Sequence, residues 1–347
     1  MDVRTENRPT GMETHRKRIL TGDRPTGRLH VGHYVGSLRS RVALQDKYDS
    51  FIEIADIQAL TTDFEQPEVV AENVHQVCLD YLAVGLDPEK VTIFVQSAVP
   101  EIAELTVFYS LITSVNSLRH NPTIKTEAAE RGYTSLSYGF LGYPVSQAAD
   151  ITSVGAHLVP VGDDQLPHIE LTRDIVRRFN ALYGPVLVEP QALVGECPRL
   201  VGLDGGGKMS KSKGNGISLS DAPELVRAKV KSAVTDPQRL HAHDPGHPEV
   251  CVVHTYHRYL GEGARGSEAL ADFERSCRAG AIGCAACKEN LTRSLNTLLA
   301  PARERRRYYE ERPGFVKEVL AAGITRVRGE AALTVSRVKS ALRLVQF

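Results

Sequence analysis

The segment Ile19-Leu20-Thr21-Gly22-Asp23-Arg24-Pro25-Thr26-Gly27-Arg28-Leu29-His30-Val31-Gly32-His33-Tyr34 decides the fold. Its apolar start predicts a strand, and apolar residues recur at helical spacing from Val35 to Tyr48. The glycines and both histidines therefore fall at a strand-to-helix turn. A helix N-terminus offers free N–H groups and partial positive charge, which suit a phosphate. Histidines there can donate to phosphate oxygens as charge builds in a transition state.

A second segment points to the same chemistry. Gly205-Gly206-Gly207 precede Lys208-Met209-Ser210-Lys211-Ser212, so two lysines alternate with small hydroxyl residues after a flexible stretch. Lysines stabilise several phosphate oxygens as mobile point charges, and glycines allow close backbone approach. On its own this run favours an exposed polar linker. Together with the upstream turn it indicates a loop that closes over a polyphosphate.

The first half of the chain alternates between strand-like and helix-like segments. Short apolar, β-branched stretches at 51–55, 91–95 and 158–161 are separated by stretches of helical spacing. This βαβ pattern predicts a parallel sheet covered by helices, an α/β fold of Rossmann-like type. Ligands of such sheets bind at the carboxyl ends of the strands. His33, Asp56 and 162–165 all follow candidate strands, so we expect them at one edge.

Strand signals fade after Ile217, and the rest of the chain predicts a helical C-terminal domain. Asp221 is expected to cap a helix from 222 to 231, and Gly323 to separate two helices. We expect a leader at 1–16, a Rossmann-like catalytic domain at 17–216 with its basic loop at 203–213, and the helical domain at 217–347. We expect the last helix of this domain to be able to pack against the catalytic domain.

Composition limits the class of protein. A chain of 347 residues with 42% hydrophobic and 24% charged residues fits a globular protein of two domains. No apolar run approaches the roughly 20 residues of a membrane span, and the N-terminus lacks a signal-peptide core. These features predict a cytoplasmic protein with no membrane partner. From 301 to 347 there are 11 Lys/Arg against 5 Asp/Glu, which fits either a solvated helix face or contact with a nucleic-acid backbone.

The chain resembles a known family at several motifs. His30-Val31-Gly32-His33 is similar to the HIGH signature, and 208–212 to the KMSKS signature, of class I aminoacyl-tRNA synthetases. The blocks at 143–151, 159–165, 168–174 and 231–236 resemble bacterial tryptophanyl-tRNA synthetases in particular. The resemblance runs from about Ile19 to near the C-terminus. It implies activation of L-tryptophan with Mg²⁺ and ATP, transfer of the tryptophan to tRNA(Trp), and a homodimer. It also favours tRNA contact over a solvated face for the basic C-terminal segment.

The resemblance also implies roles for individual residues. Those implied to act in catalysis are His30, His33, Lys125, Lys208 and Lys211. Those implied to bind ATP are Arg24, Pro25, Thr26, Gly32, His33, Gly162, Asp163, Asp164, Leu200, Lys208, Met209, Ser210, Lys211 and Ser212. Those implied to bind tryptophan are Asp150, which would accept the indole N–H, Tyr143 and Gln165, which would hold the ammonium group, and Leu20, Gln58 and Gln147.

Three of these positions depart from the family pattern, because Gln147, Gln58 and Leu20 stand where Met, His and Phe are frequent. Two extra amides make the amino-acid pocket more polar, which predicts tolerance for tryptophans with polar ring substituents. The spacing of Tyr143, Gln147 and Asp150 also suits a tyrosyl-tRNA synthetase, which is the alternative substrate assignment. A catalytically silent, synthetase-like regulatory or partner protein is the alternative of another class.

Four of the six cysteines form a spaced set, Cys251, Cys277, Cys284 and Cys287. A thiol cluster that ends in C-x2-C suits zinc or an iron–sulfur cluster. Some tryptophanyl-tRNA synthetases carry a 4Fe-4S cluster on a similar set, although the first gap here differs. The sequence leaves two interpretations, a Zn²⁺ or 4Fe-4S site and four reduced thiols that happen to be neighbours.

Overall fold

The computed structural model describes residues 16–194, 200–207, 209, 214–261, 263 and 266–345. Its centre is a parallel sheet of five strands in the order β3-β2-β1-β4-β5. The strands are β1 (Arg18–Asp23), β2 (Asp49–Ile54), β3 (Val91–Val95), β4 (Leu158–Val161) and β5 (Gln191–Val194). The predicted α/β fold with a parallel sheet is confirmed. Strand β5 was not expected from the sequence, because it is short, partly exposed and polar at its first residue.

Helices cover both faces of the sheet. In the first half they are α1 (Val31–His33), α2 (Arg39–Leu44), α3 (Asp56–Asp63), α4 (Pro67–Val84), α5 (Pro100–Ser110), α6 (Val115–His120), α7 (Pro122–Glu130), α8 (Tyr138–Ser153) and α9 (Leu166–Tyr183). A π-helical turn, Tyr34–Leu38, joins α1 to α2. Side chains alternate along β2, so that Phe51 packs in one apolar core and Ile52 and Ile54 in the other.

The chain after the basic loop is helical, as expected. Its helices are α10 (Pro223–Ser232), α11 (Val252–Leu260), α12 (Ser267–Arg278), α13 (Cys284–Glu310) and α14 (Pro313–Ala341). The division at 216 stays a prediction, and residues 1–15 of the predicted leader at 1–16 lie outside the described residues. In the part of the chain that the structure describes, no helix is both long enough and apolar enough to span a membrane.

Gly323 does not end a helix, which corrects the prediction of two helices there. Helix α14 runs unbroken through it, and a β-carbon at Gly323 would collide with the carbonyl oxygen of Ile93. The glycine therefore serves close packing of α14 on β3 rather than a break. Arg326 and Thr334 extend this contact, since they bond the Thr92 hydroxyl (2.5 Å) and the Ser153 carbonyl (2.9 Å).

Asp221 does not cap α10, which corrects a second prediction. The N-cap residue is Ala222, whose side chain makes no capping bond. The Asp221 carboxylate instead accepts from the Ser218 backbone N–H at 2.9 Å and from Lys229 Nζ at 2.7 Å. It fixes the segment that follows the basic loop onto α10.

A buried ion pair joins the helical C-terminal part to helix α4. Arg306 on α13 contacts Asp80 on α4 at 2.5 Å, and both side chains are almost wholly buried. The other oxygen of Asp80 accepts from the Leu29 backbone N–H at 2.7 Å. One carboxylate thus connects α13 to the residue just before His30.

Candidate active site

The turn between β1 and α1 is held by its own histidines. His30 is the N-cap of α1, and its Nδ1 accepts from the Gly32 backbone N–H at 3.1 Å. The Nδ1 of His33 accepts from the backbone N–H of His30, also at 3.1 Å. A neutral imidazole that accepts at Nδ1 carries its proton on Nε2. Each ring is therefore in the tautomer that can donate from Nε2 to a phosphate oxygen.

Met209 connects the basic run to this turn. It is buried in the same core as Leu29 and Val31. A β-carbon at Gly32 would lie 2.9 Å from the His30 ring and 3.5 Å from Met209 Cε, so the turn has no room for a larger residue. The chain beyond the run also pairs with the turn, because the Val31 N–H donates to the Ile217 carbonyl at 2.9 Å. Met209 and the residues that follow the run are thus adjacent to the turn.

A cavity of about 350 Å³ opens at the carboxyl ends of β1, β2 and β4. Nine predicted site residues line it, namely Leu20, Arg24, Thr26, His33, Gln58, Tyr143, Gln147, Gly162 and Gln165. Residues that the sequence analysis missed include Asp23, Ser37, Arg41, Glu53 and Glu127. The cavity is the size of a small-molecule site, and its lining is more polar than that of most such sites.

Nine further predicted site residues are described by the structure but do not line this cavity. They are Pro25, His30, Gly32, Lys125, Asp150, Asp163, Asp164, Leu200 and Met209. Lys125 is exposed on α7, and Asp163 and Asp164 are exposed beyond β4. Lys208, Ser210, Lys211 and Ser212 lie outside the described residues. The assigned roles of all these residues stay predictions.

A buried charge pair forms one wall of the cavity. Arg41 Nη1 donates to Asp23 Oδ2 at 2.6 Å, and the Tyr81 hydroxyl donates to the same oxygen at 2.9 Å. Burial alone would raise the pKa of Asp23, but the Arg41 charge, His33 and the two hydrogen bonds outweigh it and hold that pKa at about 2. Asp23 is therefore ionised at neutral pH. No periodicity links positions 23 and 41, so sequence reasoning had no signal for the pair.

A second buried group lies below the cavity. Gln96 Nε2 donates to both oxygens of Asp150, at 2.9 and 3.0 Å, and Gln58 Nε2 donates to Oδ2 at 2.5 Å. Glu53 on β2 is also hydrogen-bonded to Asp150. Burial, with its neighbouring carboxylates, raises the pKa of Glu53 well above its ordinary value, and burial raises that of Asp150 to about 7. Two buried carboxyls in contact cannot both ionise readily, so they share a proton.

A third cluster stands on the opposite wall. The Tyr143 hydroxyl donates to Glu127 at 3.0 Å and lies 2.8 Å from His168 Nε2, while Arg24 pairs with Glu127 at 3.2 Å. Burial, with Glu127 nearby, raises the pKa of Tyr143, so its hydroxyl stays protonated. Glu127 adds a carboxylate beside Tyr143, one of the two residues expected to hold an ammonium group. The negative charge of Glu127 would stabilise a bound ammonium group there.

His168 gives a testable pH dependence. It is fully buried, and burial lowers its pKa to about 4 from an ordinary value of 6.5. The unfolded chain therefore takes up a proton below about pH 6.5 that the folded chain refuses until about pH 4, so stability falls as the pH is lowered through this window. We expect His168→Gln to remove this loss, which amounts to about 3 kcal/mol in full. Urea unfolding of both proteins at pH 7 and pH 4.5 measures it, and parallel losses in the two would contradict the assignment.

The four spaced cysteines are neighbours, but the structure gives the predicted metal site no support. Cys251, Cys277, Cys284 and Cys287 lie close enough to influence one another electrostatically. Burial raises the pKa of Cys287 to about 12, so its side chain is a thiol at neutral pH. Among the residues described, no group of three or more His, Cys, Asp or Glu side chains is arranged to hold a metal ion. The Zn²⁺ or 4Fe-4S interpretation has no support among the described residues, and no chemistry is assigned to it.

Comparison with known proteins identifies the family to which this chain belongs. The family model of class I tRNA synthetases (W and Y) matches residues 12–300. The chain belongs to this family.

Its relatives narrow the class to the bacterial tryptophanyl branch. The tryptophan–tRNA ligases of Lactococcus lactis and Streptococcus pyogenes are 47% and 50% identical to it, each over 95% of this chain and 98% of the relative. Among solved structures, the tryptophanyl-tRNA synthetase of Campylobacter jejuni, complexed with ADP and tryptophan, has a TM-score of 0.80 at 31% identity over 94% of this chain and 100% of its own. A tyrosyl-tRNA synthetase from Archaeoglobus fulgidus has a TM-score of 0.66 at 25% identity, over 85% of this chain and 91% of its own.

Proposed function

We propose that this protein activates L-tryptophan with ATP and transfers it to tRNA(Trp). The observation that carries the proposal is the packing of Met209, in the middle of the basic run, against the His30–His33 turn beside the cavity. Relatives of nearly half-identical sequence and the same length support the substrate. The tyrosyl alternative has weaker support, because the tyrosyl-tRNA synthetase is both less identical and less similar in structure.

The first step is an in-line displacement at phosphorus. The carboxylate of tryptophan attacks the α-phosphorus of ATP, a P–O bond to the leaving pyrophosphate breaks, and tryptophanyl-adenylate forms. A carboxylate is already ionised at neutral pH, so no protein base is needed. Aminoacyl-tRNA synthetases use ATP with Mg²⁺, which neutralises phosphate charge. The protein positions the reactants and stabilises charge on the departing pyrophosphate, for which His30, His33, Lys208 and Lys211 are suited.

The second step passes the amino acid to tRNA. A ribose hydroxyl at the end of tRNA(Trp) attacks the activated carbonyl, and AMP leaves. Arg307 on α13 is exposed and available for the tRNA backbone. Arg303, Arg305 and Arg306 instead bond the Asp221 carbonyl, the Ala83 carbonyl and Asp80. Of these, Arg306 is neutralised by Asp80, whereas Arg303 and Arg305 keep their charge but are held in place by backbone carbonyls.

The protein is further proposed to act as a homodimer in the cytoplasm, where charged tRNA is used in translation. Exposed apolar side chains on and around α5 to α8 support self-association. They include Val107, Leu111, Val115 and Tyr138, whose exposed fractions are 54–82%. A cluster of exposed apolar residues is typical of a protein–protein interface.

ATP–pyrophosphate exchange with tryptophan and with tyrosine tests the proposed function. We expect the kcat/KM for tryptophan to exceed that for tyrosine by about 10²-fold or more, because a site built for a hydrogen bond rejects a ligand that leaves it unpaired. 5-Hydroxytryptophan serves as a third substrate for the predicted tolerance of polar rings. Preference for tyrosine would establish the alternative, and no exchange with any of the three would refute the activity.

A further inference from the structure

The buried Asp23–Arg41 ion pair joins the two ends of the segment that carries the His30–His33 turn. Asp23 is the last residue of β1 and Arg41 lies in α2, so the whole turn lies between them in the chain. Arg41 Nη1 donates to Asp23 Oδ2 at 2.6 Å, and its Nη2 donates to the Gly22 carbonyl at 3.2 Å. One guanidinium therefore fixes α2 to both the side chain and the backbone at the end of β1.

A short irregular stretch of helix connects Arg41 to the histidine of the turn. The π-helical turn Tyr34–Leu38 lies between them, and such turns are frequent at functional sites. Within it, the Ser37 hydroxyl donates to the His33 carbonyl at 3.3 Å. Asp23, His33, Ser37 and Arg41 all line the same cavity. A shift of α2 at Arg41 would therefore move His33 relative to a bound ligand.

Tyr81 on α4 holds the pair from a third element. Its hydroxyl donates to Asp23 Oδ2 at 2.9 Å, and the Arg41 guanidinium lies 5.7 Å from the centre of its ring. Tyr81 is fully buried in the apolar core, and the face of an aromatic ring attracts a cation. The pair is thus fixed to a helix that is separate from the segment that it closes.

Stability alone does not account for this pair. The side chains of Arg41 and Asp23 are only 3% and 13% exposed. The Nε of Arg41 is buried and has no hydrogen-bond partner among the described residues, which is unfavourable. Replacement of a buried ion pair by apolar side chains is often neutral or stabilising. What apolar side chains cannot supply is the fixed geometry of a guanidinium that bonds two groups at once.

We propose that Arg41 is a positioning residue for adenylate formation, which holds His33 in place by fixing α2 to the end of β1 through Asp23 and the Gly22 carbonyl. This rests on the proposed function, in which His33 stabilises charge on the departing pyrophosphate. Arg41 acts through the turn rather than on the substrates, because its two terminal nitrogens already bond Asp23 and Gly22.

The kcat and KM of ATP–pyrophosphate exchange separate positioning from substrate binding. We expect Arg41→Met, which lacks the guanidinium, to lower kcat by about 10- to 100-fold, because a misplacement of about 1 Å can cost that much rate. The KM for tryptophan is expected to change less than about threefold, since His33 acts on charge that develops in the transition state. Arg41→Lys keeps the charge but cannot bond both groups, and its kcat is expected to lie at least about fivefold below the wild type.

Gln45→Leu is the matched control. Gln45 is also buried and follows the last residue of α2, but it bonds the Gly85 carbonyl and the Asp87 N–H and does not line the cavity. We expect its kcat to equal that of the wild type. An unchanged kcat in Arg41→Met, or a higher KM for tryptophan at unchanged kcat, would overturn the inference. If Arg41→Met does not fold, a wild-type kcat in Arg41→Lys would overturn it.

A double variant separates position from stability. Asp23→Leu with Arg41→Met removes both charges, so it is expected to unfold at a urea concentration close to that of the wild type. Its kcat is expected to stay at least about tenfold low, because no polar contact then fixes α2 to β1. Recovery of kcat together with stability would show that the pair only stabilises the fold, and would overturn the inference. Failure of the wild-type protein to exchange with tryptophan would instead refute the proposed function.

Discussion

Replacement of Lys208 or Lys211 by alanine is expected to slow adenylate formation by about 10²- to 10³-fold while tryptophan affinity changes less than about threefold. A group that stabilises charge only in the transition state affects rate rather than ground-state binding. Met209, between the two lysines, is buried against the turn that carries His33. Met209 is thus the residue of the run that the structure places next to this turn.

Single-turnover kinetics measures the rate, and ligand fluorescence measures the affinity. The chain contains no tryptophan of its own, so emission from bound tryptophan has no protein background. Lys213→Ala is the matched control, because Lys213 belongs to the same run but lies beyond the signature. Equal losses of rate and tryptophan affinity in Lys208→Ala or Lys211→Ala would show that the lysines position the substrate rather than stabilise the leaving group.

Replacement of Arg306 by leucine is expected to cost about 3–5 kcal/mol of the free energy of unfolding. Removal of one partner of a buried pair leaves the other charge, here Asp80, uncompensated in the core. The Asp80 carboxylate also accepts from the Leu29 backbone N–H, next to His30. We therefore expect this variant to slow adenylate formation as well, through displacement of the turn.

Urea unfolding followed by circular dichroism measures the loss. Arg307→Leu is the control, because Arg307 is the next residue on α13 and is exposed. Its expected change is within about 0.5 kcal/mol. If Arg306→Leu is no less stable than Arg307→Leu, the ion pair contributes nothing to stability. If Arg306→Leu is less stable but forms adenylate at the normal rate, the ion pair does not influence the His30–His33 turn.

The parts of the fold that have local signals in the sequence were predicted. Strands β2 and β3 are short apolar runs, and the turn after β1 has its glycines and histidines in consecutive positions. Strand β5 lacked such a signal. Gly323 was misread because a helix-breaking residue and a residue that allows close packing look alike until the neighbouring strand is known.

The site was predicted only where a motif or the family pattern carries it. The Asp23–Arg41 pair joins residues far apart on a strand and a helix, so only the tertiary structure brings them together. Arg306 appeared to belong to a basic tRNA-binding face, yet it is neutralised by Asp80 from α4. The sequence did not identify Glu53 as a cavity residue, because a single charged residue in an apolar strand is more often exposed than buried. In each of these cases, the charged residue contacts a group that is distant in the sequence, and local periodicity does not reveal such a contact.

Charging of tRNA is the most direct test of the proposed activity. Wild-type protein is incubated with ATP, Mg²⁺, radiolabelled tryptophan or tyrosine, and tRNA(Trp) or tRNA(Tyr) transcripts, and acid-precipitable label is counted. The account predicts rapid labelling of tRNA(Trp) by tryptophan and no labelling of tRNA(Tyr). Labelling of tRNA(Tyr) by tyrosine, or adenylate formation without labelling of either tRNA, would contradict it.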